Sequence, residues 1–226
     1  MSDEENPIDV NALAAIGSKR LATLLAEAAM TNPSIRRRLQ FELSAQQNDN
    51  VPEVIRRQIS EFREQTSFLG AEEIVELARE LDDIRATIVS SVSRAAPKLA
   101  PDLMLQLFTL AGTLYDRTTE EGWEVGRVFD QACADLVKGI VAAEVEPKLF
   151  AEKAVSAIGA NQYGEYKALI PAIALAQPWA SAYVAEIRAL LQRLLDEPPG
   201  PNGRPNDERS SVLRRALRDL DPPSAA

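Results

Sequence analysis

Ile74-Val75-Glu76-Leu77-Ala78-Arg79-Glu80-Leu81-Asp82-Asp83-Ile84-Arg85-Ala86-Thr87-Ile88 is the stretch whose reading decides the fold. Ile74, Leu77, Leu81, Ile84 and Ile88 recur at spacings of three and four residues, which gathers them on one face of an α-helix and scatters them over both faces of a strand. The pattern predicts a helix from about Glu72 to Ala95, closed by Pro97 and Pro101, with an apolar seam roughly 35 Å long. Such a seam needs a partner face, within the chain or on a second copy, so homodimerisation is one outcome that the pattern allows.

The same periodicity runs outward in both directions. Towards the N-terminus, a short segment from Asp9 stops at Gly17, and Leu21, Leu24, Leu25 and Ala28 then mark a second helix. Asn32-Pro33 supplies a capping residue and a first-turn proline for a helix carrying Ile35, Leu39 and Leu43, which stops at Asn48-Asp49-Asn50. Ile55, Ile59 and Phe62 predict another helix, stopped near Leu69-Gly70. Towards the C-terminus, one helix carries Leu103, Leu107, Leu110 and Leu114, and a second carries Val125, Phe129, Ala132, Leu136 and Ile140. Their wide apolar faces predict central positions. Helices from Pro147 to about Ile158, around Leu169 to Ile173, and after Pro178 with Tyr183, Ile187, Leu190 and Leu194 complete the series.

Glu197-Pro198-Pro199-Gly200-Pro201-Asn202-Gly203-Arg204-Pro205-Asn206 reads as a solvated linker, and beyond it Ser211 opens a short helix with Val212, Leu213, Ala216, Leu217 and Leu220. The expected organisation is therefore a disordered acidic tail over residues 1–7, a helical-repeat domain over 8–196, a linker over 197–210, a terminal helix over 211–220 and a tail over 221–226. Pro97-Lys98-Leu99-Ala100 and Pro147-Lys148-Leu149-Phe150 echo one another, each opening an apolar helix. That spacing fits helical-repeat arrays, and the fold class is all-α, with antiparallel hairpins stacked as in TPR or HEAT solenoids.

Composition agrees. Hydrophobic residues make up 46% and charged residues 26%, globular values, while aromatics are 5% and Gly only ten, so the apolar inventory is the Ala and Leu that helices favour. A net charge of −9 repels a nucleic-acid backbone. The acidic start Met1-Ser2-Asp3-Glu4-Glu5 has no signal-peptide pattern, no apolar run spans a bilayer, and the single Cys133 forms no disulfide framework. The expectation is a cytoplasmic protein with no membrane segment.

Three stretches resemble an uncharacterised bacterial family of helical-repeat proteins, a domain of unknown function. They are Leu13-Ala14-Ala15-Ile16-Gly17 through Arg20-Leu21-Ala22-Thr23-Leu24-Leu25 to Arg36-Arg37-Arg38-Leu39; Gly126-Arg127-Val128-Phe129-Asp130-Gln131-Ala132-Cys133-Ala134-Asp135-Leu136; and Tyr163-Gly164-Glu165-Tyr166 with Leu190-Leu191 downstream. The resemblance covers most of residues 8–196. It implies tandem helical hairpins and a shortened member, since longer members continue past a helix like Leu213-Arg214-Arg215-Ala216-Leu217 into a second helical half. It implies no activity.

The chain has no histidine, which excludes Ser-His-Asp and Cys-His catalysis, His-ligated zinc and His-ligated haem. No catalytic residue, metal ligand set or cofactor is expected. Cys133 falls in an apolar stripe and reads as a buried small hydrophobe. Asp116-Arg117-Thr118-Thr119-Glu120-Glu121-Gly122-Trp123 is the most polar internal loop, and its Thr118 and Glu121 have capping-box spacing. Tyr163, Gly164 and Trp179 fit a turn and packing aromatics better than a pocket.

Two basic groups are candidate binding residues. Arg36, Arg37 and Arg38, with Arg56 and Arg57 one helix later, could meet phosphate or nucleic acid. Against this, Arg38 and Glu42 are spaced for an ion pair and no aromatics interleave for base stacking. Arg214, Arg215 and Arg218 lie opposite the leucines of the terminal helix, which either folds back on the chain's own acidic surface or docks on a partner. The leading expectation is a non-enzymatic protein-interaction or adaptor module, ahead of a nucleic-acid binder and of a small-ligand binder or unrecognised enzyme.

Overall fold

A computed structural model describes residues 9–32, 35, 36, 39, 43, 50–118, 123–196 and 207–221. The expected tail over 1–7, Arg37, Arg38 and their ion pair to Glu42, the Asn48-Asp49 stop, the Thr118–Glu121 box beyond Thr118, and Glu197–Asn206 lie outside them. Among the described residues all regular structure is helical. By its contacts the chain divides into two compact units, Met1–Asn50 and Val51–Ala226.

In the first unit, Asp9 caps α1 (Val10–Ala15) by accepting a hydrogen bond from the Ala12 N–H at 2.7 Å. Gly17, at φ +86°, turns the chain into α2 (Ser18–Thr31). Asn32 then caps as its position predicts, its Oδ1 accepting from the Ile35 N–H at 3.2 Å, and residues 35, 36, 39 and 43 are helical. None of the described α2 side chains is buried; Leu21, Leu24 and Ala28 are half-buried.

The second unit begins with α3 (Val51–Glu64), whose Val51, Ile55, Ile59 and Phe62 form a fully buried stripe. Helix α4 (Ala71–Thr87) follows the decisive seam, and Ile74, Leu77, Leu81 and Ile84 are all buried within this chain. The predicted continuous helix to Ala95 is instead interrupted: Ile88–Val92 widens into a π turn before a last α turn, α5 (Ser93–Ala95). The physical reason is local. Thr87 and Ser90 hydroxyls donate to the carbonyls of Asp83 and Ala86, four residues back, and Ser93 donates to Ile88, five back, so side chains compete with the α ladder over two turns.

Pro101 opens a helix rather than closing one, standing in the first turn of α6 (Ala100–Phe108). The Leu103 to Leu114 run, read as one helix, is divided at Thr109, whose hydroxyl donates to the Gln106 carbonyl at 2.7 Å and accepts from Arg63; α7 (Ala111–Tyr115) resumes beyond it. The two Pro-Lys-Leu echoes are not equivalent: Pro97–Leu99 form a turn before α6, whereas Pro147 is the first residue of α9 (Pro147–Ala160).

Helix α8 (Trp123–Ala142) is central, as its wide apolar face predicts, and packs against α4, α6 and α10 (Leu169–Leu175). Helices α9, α11 (Gln177–Asp196) and α12 (Asp207–Asp219) form a second layer, with α11 kinked at Ala180. Between α4 and α8 lies an ion pair absent from the sequence reading. Asp135 is buried on α8 and accepts from Arg85 of α4, which also donates to Asp82 at 2.7 Å. Burial works against the Arg85 charge, but the hydrogen bond and charge of Asp82, with the charge of Asp135, outweigh it and hold the guanidinium above its ordinary range.

Removing Asp135 takes the interhelix partner from a half-buried Arg85 and leaves it Asp82 alone. Asp135→Ala should therefore lower unfolding stability by about 1–3 kcal/mol, and a chemical-denaturation midpoint unchanged from wild type would refute the pairing.

Candidate functional site

The two downstream stretches of the resemblance meet in space. Gly126 to Leu136 lies on α8, and Tyr163 to Tyr166 lies on the loop that follows α9, with the Cys133 Sγ 3.6 Å from the Glu165 carbonyl and Lys167 Nζ 3.2 Å from Asp130 Oδ2. Gly164, at φ +84°, supplies the turn expected of it. The loop ties itself down: the Tyr163 N–H donates to Glu165 Oε2 at 2.9 Å, and the Tyr166 N–H donates to Asn161 Oδ1 at 3.3 Å. Glu165 is consequently buried although it is a carboxylate.

Five rings link this loop to three helices. Tyr166 stacks on Phe108 at 4.5 Å, Phe108 on Phe129 at 5.7 Å, Phe129 packs on Tyr115 at 6.2 Å, and Tyr115 stacks on Tyr163 at 5.6 Å. The Tyr163 hydroxyl donates to Asp116 Oδ1 at 3.0 Å. Gly126 permits this approach, because a Cβ there would stand 3.2 Å from the Tyr115 hydroxyl.

The turn after Tyr115 also anchors the non-helical segment before α4. Arg117 is buried, its Nε donates to the Ser67 carbonyl at 2.7 Å, and its own carbonyl accepts from the Leu69 N–H at 3.0 Å. The helix expected to stop near Leu69-Gly70 ends at Glu64, and this clamp holds the non-helical residues that follow. It also fixes Phe68 between the two bonds, 66% exposed. Trp123, 58% exposed, starts α8 one turn before Gly126, with the Arg127 guanidinium 5.7 Å over its ring. Tyr163, on the loop after α9, is 40% exposed. Phe68 and Tyr163 thus each adjoin the turn of residues 115–118, the first through the Arg117 clamp and the second through Tyr115 and Asp116, while Trp123 stands exposed at the start of α8.

Polar chemistry at this site is held in neutral forms. Burial, with the charge of Asp130, pushes the Cys133 thiol up to about 12. Burial, with the charge of Glu165, likewise pushes Tyr166 up to about 12. The hydrogen bond to Asp116 raises Tyr163. A thiol so held is no nucleophile at neutral pH. Among the described residues no three His, Cys, Asp or Glu side chains are grouped to hold a metal ion.

The described candidate arginines have the following partners within the chain. Arg36 caps α2, donating to the carbonyls of Ala29 at 2.9 Å and Met30 at 3.0 Å. Arg56 pairs with Glu53, and Arg57 lies 3.8 Å from Glu61, both within one helix. Arg214, Arg215 and Arg218 are exposed, and the last two pair with Asp219. The terminal helix folds back on its own chain, but through Leu213, Ala216 and Leu220, not through its arginines. Trp179, expected to pack between hairpins, is 52% exposed. Arg117 and Trp123 lie in the polar run Asp116–Trp123 that the sequence singles out, without the clamp and the exposure that the fold gives them, and Phe68 carries no signal in the periodicity.

The chain belongs to a family of unknown function, DUF6880, whose model matches residues 4–219. No curated protein and no solved structure matches it.

Raised thiol and phenol values fix an alkaline response. Below about pH 8.5 both states keep these protons; above it the unfolded chain releases the Cys133 and then the Tyr166 proton first, so stability falls as pH rises towards 12. Cys133→Ala should flatten that fall between pH 8 and pH 10.5 in guanidinium titrations. An unchanged slope would mean that the thiol is not held neutral by the fold.

Proposed function

We propose that the chain is a non-enzymatic protein-interaction module and that its exposed aromatic side chains Phe68, Trp123 and Tyr163 are docking residues. The observation that carries this is the exposure of all three in a chain where aromatic residues are only 5%. Large aromatics with an arginine stacked on them are the side chains that supply most of the energy at protein interfaces. Their backbones are fixed by the Arg117 clamp, the Tyr115–Tyr163 stack and α8, so docking on them costs little ordering.

The helices are read as stacked hairpins of the TPR or HEAT kind, a reading supported by the consecutive packing of α9, α11 and α12. Among the described residues no helix is long and apolar enough to cross a membrane, consistent with a cytoplasmic setting. Nucleic-acid binding through Arg36, Arg56 and Arg57 is disfavoured, because each already has a partner within its own unit. Nucleophilic catalysis by Cys133 is disfavoured, because the thiol is buried and held protonated.

Affinity capture from native lysate should recover a specific protein with the wild-type chain and lose it with Phe68→Ala/Trp123→Ala, at an unchanged melting temperature. Equal recovery by both chains would move the interface elsewhere, and recovery of nothing above control would count against the module itself. A shift of several degrees in melting temperature with a nucleotide or metal would favour the ligand-binder reading instead.

A further inference from the structure

The segment between α3 and α4 sets the most exposed of the three docking aromatics in an acidic stretch of chain. Glu64-Gln65-Thr66-Ser67-Phe68-Leu69-Gly70-Ala71-Glu72-Glu73 holds three glutamates and no lysine or arginine. Glu64 ends α3 and Glu72 lies in the first turn of α4, so one stands on each side of Phe68 in the chain, and both are exposed. Glu73 is exposed too, its Oε2 accepting from the Gly70 N–H at 2.8 Å.

The two arginines that adjoin this segment are turned to neutral acceptors. Arg63 donates to the Thr109 hydroxyl at 2.8 Å, and buried Arg117 donates to the Ser67 carbonyl at 2.7 Å. With exposed Asp116 beside Arg117, four carboxylates stand against two guanidiniums on the segment and the turn that clamps it. On a chain of net charge −9, a face of this sign repels a nucleic-acid backbone, an anionic bilayer and a second copy of itself, and it attracts cations. The contact that a cation would make is already present elsewhere in the chain, where the Arg127 guanidinium lies 5.7 Å over the Trp123 ring. Phe68 offers the same kind of ring, 66% exposed.

We propose that the Phe68 segment docks a basic stretch of another protein, with an arginine or lysine side chain lying on the Phe68 ring and neighbouring cations pairing with Glu64 and Glu72. This rests on the reading of Phe68 as a docking residue and adds to it the charge of the partner. Exposed ion pairs contribute little one by one, so the ring contact sets the affinity and the carboxylates set the sign of what is accepted.

The probes are two short fluorescein-labelled peptides, one alternating arginine with leucine and one alternating glutamate with leucine, titrated by anisotropy against the full chain. The arginine peptide should bind, more weakly as salt is raised, and the glutamate peptide should not. Glu64→Gln/Glu72→Gln should weaken binding of the arginine peptide about five-fold and Phe68→Ala about ten-fold, each at an unchanged melting temperature. Glu152→Gln/Glu186→Gln, which removes two exposed carboxylates from α9 and α11, should leave binding unchanged. Equal weakening by the two glutamate pairs would reduce the effect to net charge and overturn the proposal. No binding of the arginine peptide, equal binding of the glutamate peptide, or binding that Phe68→Ala does not alter would overturn it as well. So would a wild-type dimer in light scattering that Phe68→Ala dissociates, which would give the segment to a second copy. Failure of these arms leaves the docking reading itself to the capture experiment with Phe68→Ala/Trp123→Ala, which makes no assumption about charge.

Discussion

Helix α8 has neighbours on three sides, and that single constraint organises the second unit. A helix touched by α4, α6 and α10 must be apolar over most of its circumference, yet α8 carries Asp135 in its buried surface. A carboxylate there is tolerable only when paired, and the pair is supplied by Arg85 from the seam helix α4. Apolar faces alone leave two helices free to slide by a turn. The Arg85–Asp135 contact opposes this, because sliding by about 5 Å would break it and leave each charge only the partner on its own helix, Asp82 for Arg85 and Lys138 for Asp135. The seam that could have joined two chains is thereby spent within one.

The same logic governs the end of the unit where Tyr163 and Trp123 lie. Buried Arg117 and buried Glu165 both satisfy backbone groups of non-helical segments, the first at Ser67, the second at Tyr163. Charged side chains here act as braces for turns, and the aromatic chain from Tyr166 to Tyr163 fills the space between them. Cys133 and Tyr166 remain protonated as a result. What this end presents outward is aromatic side chains, Phe68 and Tyr163, on a backbone that these contacts hold in place.

At the other edge, α12 completes the second layer: Leu213, Ala216 and Leu220 are buried against α9, α10 and α11, and the Leu220 carbonyl accepts from Gln177 of α11.

The sequence by itself determined the helical class, the seam of α4, the central place of α8 and the burial of Cys133, because these follow from apolar spacing, which is a local property of the chain. Its errors were local too: Thr87, Ser90 and Ser93 widen a helix that Leu and Ile spacing alone would continue, and Thr109 divides another. Tertiary structure decided everything that joins residues fifty positions apart. Arg85 with Asp135, Arg117 with Ser67, and Tyr163 with Asp116 are pairings between segments, and no periodicity within either segment encodes them. The same is true of the arginines: spacing presents Arg36, Arg56 and Arg57 as available charge, and only the folded chain assigns them to a helix cap and to neighbouring carboxylates, because a partner is fixed by distance in space.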